Sequence, residues 1–113
     1  MSLFSKAKRR RQPRYLNFGR HWGDLTYTLR VLLSLVESNL PLADGLAESG
    51  KDAPNRKLRS VLLGLAEDIR AGNSVSRAMG SQRAFFPRCH IEMVEAGEAS
   101  GSLQEGLEHI VTS

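Results

Sequence analysis

The sequence predicts an all-α fold, a compact six-helix bundle of antiparallel helices with a disordered basic N-terminal arm. Apolar residues recur at steps of three and four along most of the chain, which is the spacing of one face of an α-helix. No segment alternates polar and apolar residues for long enough to make a strand. The 113 residues leave room for a single domain, because domains usually contain roughly 100–150 residues.

The chain divides into a flexible basic arm, residues 1–17, and a helical domain, residues 18–113. Residues 1–20 carry seven Lys and Arg and no acid, a charge of +7, whereas residues 21–113 carry nine bases and twelve acids, a charge of −3. A segment so rich in charge buries too little apolar surface to offset the entropy of ordering. The basic character of the chain therefore belongs to the arm.

The first helix is predicted over residues 19–38. Pro41 ends it, because proline disfavours helical geometry in the residue before it. The same proline suits the first turn of a short second helix, which we expect to close at Ser49-Gly50. The apolar face of the first helix comprises Trp22, Leu25, Leu29, Leu32, Leu33, Val36 and Leu40.

A third helix is predicted to start near residues 52–55 and to end at Gly72, a favoured C-terminal cap. Ser74 then offers a side-chain oxygen to the start of a fourth helix, Val75 to Met79. The apolar face of the third helix comprises Leu58, Val61, Leu62, Leu65 and Ile69.

The last two helices are predicted to be antiparallel neighbours joined by a glycine-containing turn. The fifth runs from Pro87 towards Ala99, and Ser100-Gly101 breaks it. Ser102 and Glu105 have the spacing of a capping box, in which each side chain satisfies a backbone donor of the other residue. The sixth helix follows, with Leu107, Ile110 and Val111 on its apolar face.

Few residues are candidates for a disulfide, a metal site or a membrane span. Cys89 is the only cysteine, so no intrachain disulfide or thiolate zinc site can form, and we expect it to pack as a small hydrophobe beside the apolar face of helix five. His21, His90 and His109 lack the spacing of a metal pair and are expected to be surface or partly buried residues. No apolar run approaches the roughly 20 residues of a membrane span.

Catalytic motifs are missing from the sequence. Residues 72–76, Gly-Asn-Ser-Val-Ser, half resemble a nucleophile elbow, but the second glycine is missing and no strand precedes them, which favours a helix cap. No phosphate-binding glycine loop is present. We therefore predict no catalytic and no cofactor-binding residue.

Three acids, Glu92, Glu95 and Glu98, follow each other at three-residue steps and so lie on neighbouring faces of one helix. Their oxygens could reach a hard cation. Calcium needs six to eight oxygen ligands, so Glu95 and Glu98 would be joined by waters, carbonyls or a second subunit. A solvated acidic stripe is the alternative interpretation.

The basic arm has several candidate ligands. Clustered Lys and Arg bind nucleic-acid phosphates, anionic lipid headgroups or an acidic partner, and a solvated tail is the remaining alternative. The acidic domain offers no second basic surface and no stacking platform, which disfavours nucleic acid. The arm residues expected to contact a partner or lipid are Lys8, Arg9, Arg10, Arg11 and Arg14.

Residues 93–107, Met-Val-Glu-Ala-Gly-Glu-Ala-Ser-Gly-Ser-Leu-Gln-Glu-Gly-Leu, resemble the signature of the type II secretion system F family, which includes the pilus platform proteins. The likeness extends to Leu40-Pro41-Leu42, to residues 58–76 and to Phe86-Pro87, and it covers about residues 18–112. Its most specific part is a turn made by Gly97, Glu98, Ser100 and Gly101.

The resemblance implies an N-terminal cytoplasmic domain of an inner-membrane platform protein of type IV pilus biogenesis or type II secretion. Such a domain is a non-catalytic scaffold at the cytoplasmic face of the bacterial inner membrane. It docks the assembly ATPase and other platform proteins, and membrane helices absent from this chain attach it. A homodimer, with calcium near Glu98 at its interface, is also implied. No other cofactor and no nucleic acid are expected; the alternative is a small helical nucleic-acid-binding protein that uses the basic arm.

Two residues depart from the family pattern. Arg77 stands where an acid often completes the cap after Ser74, which should weaken helix four. Gly106 stands where a larger residue is usual, which should loosen helix six by up to ~1 kcal/mol relative to alanine.

Overall fold

The computed structural model describes the backbone of residues 14–113 and the side chains of residues 19–113. The described chain contains six helices and no strand, which confirms the all-α prediction. None of these helices is both long and apolar enough to span a membrane. The helices are α1 (Arg14–Glu37), α2 (Leu42–Lys51), α3 (Arg56–Arg70), α4 (Val75–Gly80), α5 (Arg88–Ser100) and α6 (Leu103–Thr112).

Helix α1 begins at Arg14, whereas the sequence analysis placed its start at residue 19. The last residues assigned to the arm are therefore helical. Residues 1–13, with Lys8, Arg9, Arg10 and Arg11, lie outside the described residues, as does the side chain of Arg14. The predicted contacts of these side chains with lipid or a partner stay predictions.

The bundle consists of two helical hairpins, α2 with α3 and α5 with α6, which pack along α1. Helix α4 lies between them and contacts both α3 and α5. Every helix contributes to one continuous core, whose fully buried members include Leu25, Leu32, Leu46, Leu62, Met79, Phe86, Val94 and Leu107.

Two members of the apolar face predicted for α1 are exposed. Trp22 is 50% exposed, because α5 begins and α6 ends beside it and they cover only part of its ring. Leu40 is 54% exposed, because Asn39 has left-handed backbone geometry, φ 55°, and the chain leaves α1 there. Thr28, by contrast, is a polar residue of α1 that is buried, and its hydroxyl donates to the carbonyl of Asp24 at 2.9 Å.

The predicted stop of α2 at Ser49-Gly50 is wrong, because the helix continues to Lys51. Gly50 is buried inside the helix, and a Cβ atom there would lie 2.9 Å from the side chain of Leu63 in α3. The glycine therefore allows α2 and α3 to pack closely. The predicted C-terminal cap of α3 is confirmed, because Gly72 follows the last turn with φ 101°. At the other end Asn55 is the N-terminal cap, and its side chain accepts from the backbone N–H of Leu58 at 2.8 Å.

Candidate functional site

The turn that carries the family resemblance joins α5 to α6. Gly101 has left-handed geometry, φ 78°, and its N–H donates to the carbonyl of Glu98 at 3.2 Å. The N–H of Ser102 donates to the carbonyl of Gly97 at 2.7 Å. This pair of bonds is a Schellman motif, which satisfies the last carbonyls of α5 and reverses the chain sharply.

The predicted capping box of Ser102 and Glu105 is wrong. The side chain of Ser102 makes no capping bond at the start of α6. Its backbone N–H, which Glu105 would have to bind, already donates to Gly97. The C-terminal cap of α5 thus excludes the N-terminal capping box of α6.

Gly97 and Gly106 face each other where α5 and α6 cross. A Cβ atom on Gly97 would lie 2.9 Å from the carbonyl oxygen of Ser102 and 3.4 Å from the Cα atom of Gly106. A Cβ atom on Gly106 would lie 3.0 Å from the carbonyl oxygen of Met93. These contacts confirm that small residues permit a close helix approach, and they give Gly106 a packing role that the sequence analysis missed.

Glu98 caps the N-terminus of α4. Its carboxylate accepts hydrogen bonds from the backbone N–H groups of Val75 at 2.8 Å and Ser76 at 3.3 Å, and from the hydroxyl of Ser76. A negative charge is stabilising at this end of a helix, where backbone donors lack partners and the dipole is positive. Glu98 therefore fastens α5 to α4.

This cap also explains the departure at Arg77. Ser74 accepts from the backbone of Arg77 at 3.2 Å, which confirms its predicted capping role. Helix α4 has no acid in its first turn. Glu98 supplies the missing carboxylate from α5, so the weakening expected from Arg77 is offset by a residue distant in sequence.

The acidic stripe of α5 is divided among different partners. Glu92 pairs with Arg88 at 3.3 Å, Glu95 is exposed, and Glu98 is bound to α4. Between residues 19 and 113, no three His, Cys, Asp or Glu side chains are grouped so that they could hold a metal ion. The calcium site predicted at Glu95 and Glu98 stays a prediction that requires ligands from a second copy.

A shallow groove of about 330 Å³ runs between α5 and α6 beside the signature turn. Small residues form most of it, and Glu105 and His109 are its titratable side chains. We call this surface the α5–α6 groove; its lining is Met93, Ala96, Gly97, Ser100, Ser102, Glu105, Gly106 and His109.

The beginning of α5 differs from the sequence expectation. Cys89, in the first turn of α5, is exposed rather than packed, and the neighbouring His90 is 9% exposed and faces residues of α1 and α6 instead. Burial lowers the pKa of His90 below its ordinary value of 6.5. Its Nδ1 atom is buried and has no hydrogen-bond partner among the described residues.

Comparison with known proteins identifies a family and several relatives. The family model of type II secretion system protein F matches residues 28–113. Type IV pilus assembly protein PilC of Thermus thermophilus is 32% identical over 89 residues, which are 79% of this chain and 22% of that protein.

Two further relatives match a similar share of the chain. Type II secretion system protein F of Vibrio cholerae is 30% identical over 87 residues, or 77% of this chain and 21% of that protein. PilC of Pseudomonas aeruginosa is 22% identical over 89 residues, or 79% of this chain and 24% of that protein. The chain thus spans less than a quarter of the length of these relatives. Because the family model covers most of the helical domain, the chain belongs to the type II secretion system protein F family.

Proposed function

We propose that this domain is a non-catalytic scaffold at the cytoplasmic face of the bacterial inner membrane, in the platform protein of a type IV pilus or type II secretion system. There it docks the assembly ATPase and other platform proteins. The family match over residues 28–113 and the names of the relatives, pilus assembly and secretion proteins, support the proposal. Further helices of a longer platform protein would attach the domain to the membrane.

The α5–α6 groove carries the proposal. It is an open surface lined largely by small residues, in which Ala96 and Ser100 are exposed to a partner helix while Gly97 is buried. Small residues permit close backbone approach, as Gly97 and Gly106 already do within the domain. We therefore assign partner docking to this groove and a structural role to the turn beside it.

The absence of catalysis is part of the proposal. Glu98 is the acid of the signature turn, and its carboxylate is bound to the N-terminus of α4. A general base needs a lone pair directed at its substrate, and structural hydrogen bonds oppose that use. The engagement of Glu98 supports a scaffold.

A titration of the assembly ATPase into the full chain tests the proposal. Ala96→Arg places a long cationic side chain in the groove at an exposed position, and Ser60→Arg does the same on the exposed side of α3. We expect Ala96→Arg to weaken binding at least about tenfold, since a misplaced charge at an interface costs several kcal/mol. Ser60→Arg should bind as the unmodified chain does. Equal affinities for all three proteins would contradict docking in the groove.

The predicted homodimer and its calcium ion form a separate proposal. Its three donors leave Glu98 about one of roughly four lone-pair sites, and the exposed Glu95 of a second copy could supply further oxygens to a shared site. Sedimentation velocity with Ca²⁺ and then with a chelator tests it. A calcium-dependent dimer that Glu95→Gln abolishes supports the site, and a sedimentation coefficient unaffected by calcium contradicts it.

A further inference from the structure

One end of the bundle concentrates basic residues around an exposed tryptophan. His21 lies against Phe85, with 5.2 Å between ring centroids, and Trp22 lies near His90, with 6.2 Å between centroids. Asn55, the cap of α3, donates to Asp24 at 3.3 Å. The starts of α3 and α5 therefore meet the same part of α1, and Ile110 of α6 and Ser113 just after it line a cleft with Trp22 there.

We call this surface the basic end. Seven of the ten Lys and Arg residues between 19 and 113 lie within four residues, along the chain, of a residue that makes these contacts. Five of the twelve acids lie with them, Glu48 through its pairing with Lys51. The domain therefore has a basic surface of its own, which the sequence analysis did not expect. The seven bases are exposed: Arg20, Lys51, Arg56, Lys57, Arg59, Arg83 and Arg88. The acids at this end are Asp24, Glu48, Asp52, Glu92 and Glu108.

The side chains at the start of α3 are positively charged, whereas the N-terminus of a helix favours negative charge. Three of the first four residues of α3 are basic, namely Arg56, Lys57 and Arg59, and the first turn contains no acid. A cation near a helix N-terminus is unfavourable, because the helix dipole is positive there. Lys57 lies 6.0 Å from the centroid of Phe85 and has no carboxylate partner among the described residues. Arg59 donates to the carbonyl of Lys51 at 3.3 Å, which helps to join α2 to α3. Arg56, like Lys57, has no carboxylate partner among the described residues, and such unpaired cations suit an anionic partner.

We propose that the basic end binds an anionic membrane surface, with Trp22 at the level of the lipid headgroups. Tryptophan favours this layer because its ring is apolar and its N–H is polar, and each nearby Lys or Arg adds attraction to anionic lipid. Seven bases and five acids leave the basic end a net charge of +2. The attraction comes from its five bases without a carboxylate partner among the described residues, which are Arg20, Arg56, Lys57, Arg59 and Arg83. Trp22 is half exposed beside them. The inference does not depend on which protein docks in the α5–α6 groove.

The same surface fits nucleic acid less well. Single-stranded binding surfaces stack successive bases on several exposed aromatic rings. Among the side chains described from residue 19 onwards, Phe85 and Phe86 are buried, Trp22 is half exposed, and Tyr27, further along α1, is exposed to a smaller extent. Binding to an anionic membrane needs only one amphipathic ring and several positive charges around it. Trp22 and the bases of the basic end provide both.

Trp22 is the only tryptophan of the chain and so reports directly on its own surroundings. The test adds vesicles of phosphatidylglycerol and phosphatidylcholine, or of phosphatidylcholine alone, to the full chain and records the emission maximum. We expect a shift to shorter wavelength with the anionic vesicles and none with the neutral ones. Binding without a shift would overturn the proposal, because the N-terminal arm alone would then hold the vesicle.

Charge variants locate the contact. Lys57→Gln with Arg83→Gln removes two charges from the basic end, and Arg70→Gln with Arg77→Gln removes two exposed charges from the last turn of α3 and from α4. At about 1 kcal/mol per charge, the first pair should weaken vesicle binding roughly thirtyfold, and the control pair by much less. Equal weakening by both pairs would overturn the proposal, as would an oligonucleotide that produces the same emission shift and displaces the vesicles.

Discussion

The carboxylate of Glu98 lies 2.8 Å from the backbone nitrogen of Val75, although the two residues are 23 positions apart in sequence. This contact makes the signature turn a joint between three helices. Gly97 brings α6 against α5, and Glu98 on the next position fastens α5 to α4. The most specific residues of the family resemblance therefore act inside the domain, and the exposed groove beside them remains available for partners.

The cap provided by Glu98 predicts a selective loss of stability. Glu98→Ala removes a charged acceptor from three donors, and hydrogen bonds to charged groups contribute about 1.5–3 kcal/mol. We expect a free energy of unfolding lower by about 2 kcal/mol, measured with urea. The matched control is Glu95→Ala on the exposed face of α5, which should change it by less than about 0.5 kcal/mol. Similar small effects for both variants would show that the cap contributes little.

The crossing of α5 and α6 predicts opposite results for two glycines. Gly97→Ala places a methyl group 2.9 Å from the backbone oxygen of Ser102, so the helices must separate. The expected loss is about 1–3 kcal/mol of unfolding free energy. Gly23 lies on the exposed side of α1 with no atom near its missing Cβ, and Gly23→Ala should gain up to about 1 kcal/mol. Thermal unfolding of the two variants measures the expected loss and the expected gain of stability. A Gly97→Ala protein as stable as the parent would refute the close crossing.

Left-handed geometry at Asn39 predicts a stabilising substitution. Asn39 ends α1 with φ 55°, and the N–H of Leu40 donates to the carbonyl of Leu35 at 3.2 Å. Glycine adopts this geometry without a Cβ penalty, so Asn39→Gly should raise the unfolding free energy by about 0.5 kcal/mol. Asn73→Gly is the control, because Asn73 has ordinary backbone geometry and gains nothing from glycine. If both variants are destabilised equally, α1 does not end as described.

Burial of His90 predicts a stability that falls in mild acid. The folded-state pKa of His90 is below 6.5, so the unfolded chain binds more protons as the pH drops through 6.5. Stability then decreases with falling pH until the lowered pKa of the folded state is reached. Urea unfolding at about pH 7.5 and pH 5.0 measures this loss, which His90→Gln should reduce. An unchanged pH dependence in His90→Gln would exclude His90 as its source.

Local sequence signals predict most of the fold. Pro41, Ser74 and Gly101 mark helix ends through backbone restrictions that act within a few residues, and the structure follows them. Competition between the C-terminal cap of α5 and the N-terminal cap of α6 is harder to foresee. The N–H of Ser102 donates to the carbonyl of Gly97 and is therefore not bound by Glu105. Such a conflict appears only when both helices are in place.

Contacts between distant residues explain what the sequence missed. The acidic stripe of α5 suggested a cation, but nothing local indicates that Glu98 reaches the start of α4. Trp22 has the spacing of a core residue, and its exposure depends on where α5 and α6 end in space. The close approach at Gly106 likewise depends on the crossing point of two helices.

Amide hydrogen exchange in Glu98→Ala tests most directly the claim that the signature turn is a structural joint. The amides of Val75 and Ser76 donate to the Glu98 carboxylate, so they should exchange much faster in the variant. The amide of Leu32, in the core of α1, should keep most of its protection. Unchanged protection at Val75 and Ser76 would contradict the account, because the signature acid would then be free for another role.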